Sequence, residues 1–497
     1  MRRGLLTPPA LTTFMVNVSR TGIVLKPNNA RVLFRPFQFG DATRYLKIIA
    51  RILTLPERET VRQTEAVLAE FKDRHQRLGQ YFLRRYEQVK EYLPIAETEI
   101  SAARRVLIGA YLTLEYSLES AALFNPSLVP HPDQSGLPPD ALRFVLSLRA
   151  VGEGHISSIT FRTGVIGADN AITIDPDSRL VTSPAFVPHS TYEKPLFEKK
   201  LAELDRLDDT ARAVLGGLDD AFTLDQLEAT VALVKRQQRG RAQDVTRATG
   251  EIIALAQANY EIEYDADTTI SERVIFPYAP HESNGIEDAR FVRFVEDNGD
   301  ATYYATYTAY DGKAIFPQIL ETHDFRRFRI ATLNGPEVQN KGMALFPRRI
   351  NGQYAMVSRQ DGENLYLMFS DLLHFWYTKQ LLLKPCYPWE YVQLGNCGSP
   401  IEIAEGWLLL THGVGAMRKY SIGAALLDKN DPSKVLGRTR EPILTANANE
   451  REGYVPNVVY SCGATVHNDT LILPYAMSDY ASSFALIPLR DILAAMG

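Results

Sequence analysis

The sequence predicts a mainly β chain: a five-bladed β-propeller with an N-terminal helical segment and a helical insertion between blades one and two. Three observations lead there. First, the carboxyl half repeats one plan four times: an apolar strand, a tight polar turn, and a second strand carrying isolated charged or aromatic residues. The turns are Asp297-Asn298-Gly299-Asp300, Asn351-Gly352, Ala404-Glu405-Gly406 and His467-Asn468-Asp469, and from Asn298 to Asn351 to Glu405 to Asn468 the steps are 53, 54 and 63 residues. Such a period suits a propeller blade, a meander of about four strands, and exceeds the roughly 34 to 47 residues of a helical repeat. Second, a strand pair around a Gly-rich turn lies upstream, at 143–150 and 156–164, preceded by Phe124-Asn125-Pro126-Ser127. With it the blade count is five. Third, helical periodicity is confined to two tracts.

The elements follow in order. Residues 1–120 form an N-terminal strand (Arg31-Val32-Leu33-Phe34) plus a helical extension. Asp41 caps a first helix whose Leu46, Ile49 and Leu53 share a face, and Pro56 stops it. One longer helix follows, with Val67, Leu68, Phe71, Leu78, Phe82, Tyr86 and Val89 at helical spacing. Residues 121–192 form the first blade. Residues 193–258 form the helical insertion, where Thr223-Leu224-Asp225-Gln226 has capping-box spacing. The cluster from Lys235 to Arg241 reads as a solvated helix face before it reads as a phosphate-polymer site. Residues 259–497 form the remaining blades.

Composition narrows the function. The chain of 497 residues exceeds what one core normally supports, but a propeller can use that length as one unit. A net charge of −5 gives no reason to expect nucleic acid or an anionic membrane as partner. Cys386, Cys397 and Cys462 lack metal-ligand spacing and read as free thiols in a reducing compartment. Met1-Arg2-Arg3 is basic, but Pro8 and Pro9 interrupt it, and no long apolar run follows. A cytoplasmic protein is expected. No Gly-rich phosphate loop, Gly-x-Ser-x-Gly elbow or paired metal-spaced histidines occur, so neither a metal nor a nucleotide cofactor is expected.

The candidate chemistry sits at strand ends. Asn284-Gly285-Ile286-Glu287-Asp288-Ala289-Arg290 enters the second blade. In extended chain Glu287 and Asp288 would point to opposite sides, so only one could face a central site. Alone, this could be an acidic turn. Lys341 opens the third blade, Arg359 and His412 end apolar strands, and Tyr420 begins the next one. A propeller would gather them with Asp288 into a cluster of cations near one carboxylic acid. Such a cluster suits an oxyanion such as phosphate, while a protonated carboxyl can donate to a leaving oxygen. Inverting hydrolysis needs a second carboxylate to activate water, whereas phosphate is already a nucleophilic anion. Phosphorolysis therefore fits slightly better than hydrolysis. Asp479 is either the missing base or, preferably, a sugar-hydroxyl ligand.

These segments resemble glycoside hydrolase family 130, enzymes acting on β-mannosides. Gly285 to Arg290, Tyr304 to Tyr310, Asn340-Lys341-Gly342, Leu345-Phe346-Pro347, Gly406 to Val414, Gly423 to Asp428 and Pro456 to Ala464 carry the resemblance. The helical parts are similar to additions in the branch acting on β-1,2-linked mannooligosaccharides. The resemblance implies inverting phosphorolysis with release of α-mannose 1-phosphate. It implies Asp288 as sole general acid, acting through the 3-hydroxyl of the mannose being cleaved, and Lys341, Arg359, His412 and Tyr420 around phosphate. Ala289 stands where the family usually has proline. Asn284, Arg290, Arg149 and Arg162 are expected to contact sugar or phosphate. Inorganic phosphate is the co-substrate. A β-mannoside hydrolase and a non-catalytic mannan-binding propeller are the alternatives. The helices either bury against the propeller or form a homo-oligomer interface.

Overall fold

A computed structural model describes residues 16–187, 191–237 and 242–496. The basic start of the chain with Pro8 and Pro9 lies outside the described residues, as do positions 238–241 of the Lys235 to Arg241 cluster; Lys235 and Arg236 are exposed.

The chain is mainly β, and its described residues build five antiparallel sheets of four to six strands besides two two-stranded ones. The inner strands are Ala122–Pro130, Ile286–Val295, Lys341–Leu345, Gln393–Asn396 and Val459–Tyr460. All four repeated polar turns sit where the spacing puts them, each joining two strands of one sheet. Neighbouring sheets touch along or beside these strands. Phe291 N–H donates to Ser127 Oγ at 3.0 Å, and Thr306 Oγ1, on the second strand of its sheet, donates to the Met343 carbonyl. Gly342 lies against Asn396, and Gly398 packs so tightly on the Cys462 carbonyl that a Cβ there would come within 2.3 Å. Gly463 and Ser127 then form a parallel bridge, so the fifth sheet returns to the first.

Three strands cross the boundaries drawn from sequence. Ser19–Leu25 pairs with Ala481–Pro488 and so belongs to the fifth sheet, not to the helical extension. Val274–Ile275 completes the first sheet, and Ala185–Phe186 joins Tyr260–Glu263 on the outer edge of the second. Such pairings join residues far apart in the chain, which local periodicity cannot reveal.

The helices of the two tracts are α1 (Ala42–Leu53), α2 (Glu57–Phe71), α3 (Leu78–Val89), α4 (Ala102–Tyr111), α5 (Lys194–Glu203), α6 (Asp209–Gly216), α7 (Leu224–Gln237) and α8 (Ala242–Gln257), and a short α9 (Leu489–Ala494) follows the last strand. Asp41 caps α1 through Thr43 N–H, but its buried face is Tyr45, Ile49 and Ile52, with Leu46 left exposed. The single long helix expected over Val67 to Val89 is two helices, broken at residues 72–77, where Arg77 is left-handed at φ 54°. The Thr223/Gln226 capping box forms in both directions. Each tract closes its own core: Ile49, Tyr86, Leu107 and Leu112 in α1 to α4, and Phe197, Val214, Leu227 and Ile252 in α5 to α8. The second tract also grips the second sheet, with Lys200 Nζ donating to the Leu333 carbonyl at 3.0 Å.

Candidate active site

Three inner strands begin with an irregularity, and these irregularities build the site. In Ala122–Pro130 the register shifts between Phe124 and Ser127: Pro126 has no N–H for the ladder, and Asn125 turns left-handed at φ 50°. In Ile286–Val295 it shifts between Glu287 and Arg290, with Asp288 at φ 57°. Lys341–Leu345 shifts between Lys341 and Ala344, with Gly342 at φ 88°. Bulges re-aim side chains, and here they abolish the strict alternation expected for Glu287 and Asp288. Both carboxylates face Arg149, whose Nη2 donates to Glu287 Oε1 at 2.7 Å and whose Nη1 lies 3.6 Å from Asp288 Oδ1. Asn125 Nδ2 donates to Asp288 Oδ1 at 2.6 Å.

The loop before Asp288 is fixed from below. Glu282 is fully buried and accepts from Tyr307 Oη at 2.7 Å, from Tyr260 Oη at 3.1 Å and from two backbone N–H groups. Gly285, at φ 125°, passes so close to Ser157 that a Cβ would meet its Oγ at 2.4 Å, so only glycine fits.

Around the carboxylates lie the cations. Lys341 Nζ donates to Glu287 Oε2 at 2.6 Å, and Arg290 donates to the Asp288 carbonyl at 3.0 Å and to Tyr460 Oη at 2.6 Å. Arg359 pairs with Lys341 across the third sheet, yet its Nε and Nη1 are buried with no hydrogen-bond partner. Burial holds its proton affinity down, and Arg290 adds to the repulsion. Such an arrangement is unfavourable unless an anion completes it.

His412 corrects the expected cation set. Burial first, then Arg359 and Arg290, push its pKa well down, so the imidazole is neutral. Its Nδ1 lies 3.3 Å from the Asn396 carbonyl and its Nε2 3.3 Å from Gln393 Nε2. Tyr420 stacks on it at 5.8 Å and Tyr460 meets it edge-on at 4.8 Å. The cations are thus Arg149, Arg290, Lys341 and Arg359.

Burial would push the Asp288 carboxyl up, but Arg149, Arg290 and Lys341, with the Asn125 hydrogen bond, outweigh it and hold it below the ordinary range. Asp479 behaves oppositely: burial, then the Asp288 charge, push it up to about 6. Its folded pKa is raised, so its contribution to stability is full below about pH 4 and is lost as pH rises through about 6. Asp479→Asn is therefore expected to stabilise the protein at pH 8 by up to about 3 kcal/mol, and not at pH 4. Thermal unfolding at the two pH values checks this.

One expected residue is elsewhere. Arg162 is buried in an ion-pair network, donating to Glu119 at 2.9 Å and lying 2.7 Å from Asp177, with Arg31 on the same Glu119. Its place in mid-strand ties the N-terminal segment to the first sheet and keeps it out of the Asp288 cluster. Asn284, four residues before Asp288, is exposed, its amide lying against the turn at Gly312. Asn125, Gln393 and Tyr460 are members that the sequence did not single out for the site, and Glu287, expected to face away if Asp288 faced in, joins it as well. The one local signal was Asn125-Pro126 inside an otherwise apolar strand.

The family model described as β-1,4-mannooligosaccharide phosphorylase, of glycoside hydrolase family 130, matches residues 239–497, the second sheet to the fifth. A 1,2-β-oligomannan phosphorylase of Thermoanaerobacter sp. (strain X514) is 37% identical over 219 residues, 42% of this chain and 71% of that protein. A β-1,2-mannobiose phosphorylase of Listeria innocua is 34% identical over 234 residues, 45% of this chain and 64% of that protein, just under two thirds of its length. A solved structure of the Listeria innocua β-1,2-mannobiose phosphorylase with β-1,2-mannobiose aligns with a TM-score of 0.46 at 22% identity, over 77% of this chain and 93% of that one.

Proposed function

The chain belongs to glycoside hydrolase family 130, and from that membership we propose that it phosphorolyses β-1,2-linked mannooligosaccharides with inversion, releasing α-mannose 1-phosphate. The observation that carries the reading is the half-buried Arg359, whose guanidinium Nε and Nη1 are buried without a hydrogen-bond partner, within electrostatic reach of Asp288. The β-1,2 linkage is supported by the names of the relatives at 34 to 37% identity. On the same reading the five sheets are the blades of a propeller, with the helices of 194–257 inserted beside its second blade. The closed succession of inner-strand contacts supports that architecture.

Four cations (Arg149, Arg290, Lys341, Arg359) share the site with the carboxyl groups of Glu287, Asp288 and Asp479, and Asp479 is partly protonated near pH 6. The excess positive charge suits a phosphate anion. Arg359 and Arg290 anchor it, and neutral His412 and Tyr420 border it. Lys341, already engaged by Glu287, contributes its field.

Without phosphate, Asp288 is a carboxylate and cannot donate. A phosphate anion set among the same cations offsets them and raises its proton affinity, so phosphate binding arms the acid. The Asp288 proton then passes, through the 3-hydroxyl of the mannose, to the glycosidic oxygen as the C1–O bond breaks. A phosphate oxygen forms the new bond to C1 from the opposite face, and solvent returns the proton to Asp288. No base is required.

The test is linkage and configuration. With phosphate, β-1,2-linked mannotriose should yield α-mannose 1-phosphate, read by proton NMR, faster than its β-1,4-linked isomer. Preference for the β-1,4 isomer, or a β-configured product, would overturn the assignment.

A further inference from the structure

The site lies at the end of the sheets where inner strands begin and second strands finish, as Arg149, Arg359 and His412 show. The loops at that end of the second and third sheets expose Lys313, Asp361 and Glu363. Those leading into and across the fourth and fifth sheets expose Arg418, Lys419, Arg451 and Glu452, and in addition hold large apolar side chains in water: Met417 is 91% exposed, Tyr454 68%, Tyr391 65% and Val392 63%.

Three of these are held there. Met417 and Arg418 are consecutive left-handed residues, at φ 57° and 54°, a conformation that persists only where the surroundings impose it. Arg418 is near enough to Asp479 to act on its charge. The loop bearing Tyr454 is tied to the Asp479 turn by the bond from Val455 N–H to the Ser478 carbonyl at 3.1 Å, and Val455 packs beside Tyr420 and Phe124. The Tyr454 ring faces His155, centroids 6.0 Å apart, on the first sheet's loop. Val392 is bonded through its N–H to the Val414 carbonyl at 3.0 Å, two residues beyond His412.

We infer that this rim is the track for the leaving oligosaccharide, and that the enzyme is built for chains of three or more mannosyl units rather than for the disaccharide. The inference rests on the phosphorylase reading and decides a point that the relatives leave open, because they include both an oligomannan and a mannobiose phosphorylase. Pyranose rings present apolar C–H faces, and exposed aromatic rings continuous with a polar site supply the matching surface. An apolar patch beside a charged cluster also marks an interaction site rather than ordinary surface. A chain of three or more units has sugars beyond the pair that flanks the scissile bond, and these are the ones that can lie on Tyr454 and Met417.

The experiment compares β-1,2-linked mannobiose, mannotriose and mannotetraose as substrates. In the native protein kcat/KM is expected to rise from the biose to the tetraose, and Tyr454→Ala to reduce the tetraose-to-biose ratio about tenfold. Tyr454→Phe should keep the ratio. Calorimetric binding of mannotetraose without phosphate is run in parallel. Tetraose binding that weakens in Tyr454→Ala, with no phosphorolysis of any length, would leave the rim standing and remove the phosphorylase reading. Phosphorolysis with equal efficiency on all lengths, or an unchanged ratio in Tyr454→Ala, would overturn the rim. So would a change of molar mass by light scattering in that variant, which would make the rim a subunit contact.

Discussion

Asp288→Asn is expected to lower mannose 1-phosphate release by about 10²- to 10⁴-fold, the range one general acid supplies, while the far-ultraviolet circular dichroism stays native. The amide keeps the shape and the bond to Asn125 in altered form, but it has no proton of the required acidity. A second consequence follows from electrostatics. Asp288 has a depressed folded pKa, so its carboxylate adds stability above its unfolded pKa, and that stability is lost as pH falls through the folded value. The variant should therefore melt below the native protein at pH 7, and the gap should narrow as the pH is brought below 3.8. Near-normal turnover would remove Asp288 from the reaction.

Arg359→Met carries the other large effect, and it separates binding from stability. Loss of a buried, charge-assisted anion contact should raise the KM for phosphate by about a hundredfold or more. The same substitution removes a charge whose Nε and Nη1 are buried without a partner in the phosphate-free protein, so the variant should melt higher than the native protein in phosphate-free buffer. Phosphate stabilises by binding the folded state, so the native protein should gain melting temperature with phosphate concentration, and the variant should not. An unchanged phosphate-dependent shift in Arg359→Met would place the anion elsewhere. Function held at the expense of stability is the pattern expected of a preformed ligand site.

Much of this arrangement was legible in the chain because repeats and strand ends are local features. The polar turns and the runs Tyr354–Arg359 and Tyr420–Leu427 fall where their residues imply. What was hidden depends on geometry that spacing does not encode. The bulges at Asn125 and Asp288 put Glu287 on the same side as the acid, where period-two reasoning separated them. The neutrality of His412 arises from burial next to Arg359 and Arg290, which no residue type announces. Arg149 and Arg162 looked equivalent on adjacent strands, yet one reaches Glu287 and the other closes a network with Glu119 and Asp177. Strand Ser19–Leu25 finds its partner 460 or so positions away, as in the contact of Arg20 with Ala485.

The central claim is that phosphate, not water, attacks the anomeric carbon. The direct measurement is product analysis of β-1,2-linked mannotriose incubated with the purified protein in phosphate-free buffer and in buffer with inorganic phosphate, followed by phosphorus NMR and assay of free mannose. Mannose 1-phosphate formed only with phosphate, at a rate that saturates with its concentration and without matching free mannose, is the predicted result. Free mannose released at the same rate in both buffers would contradict it.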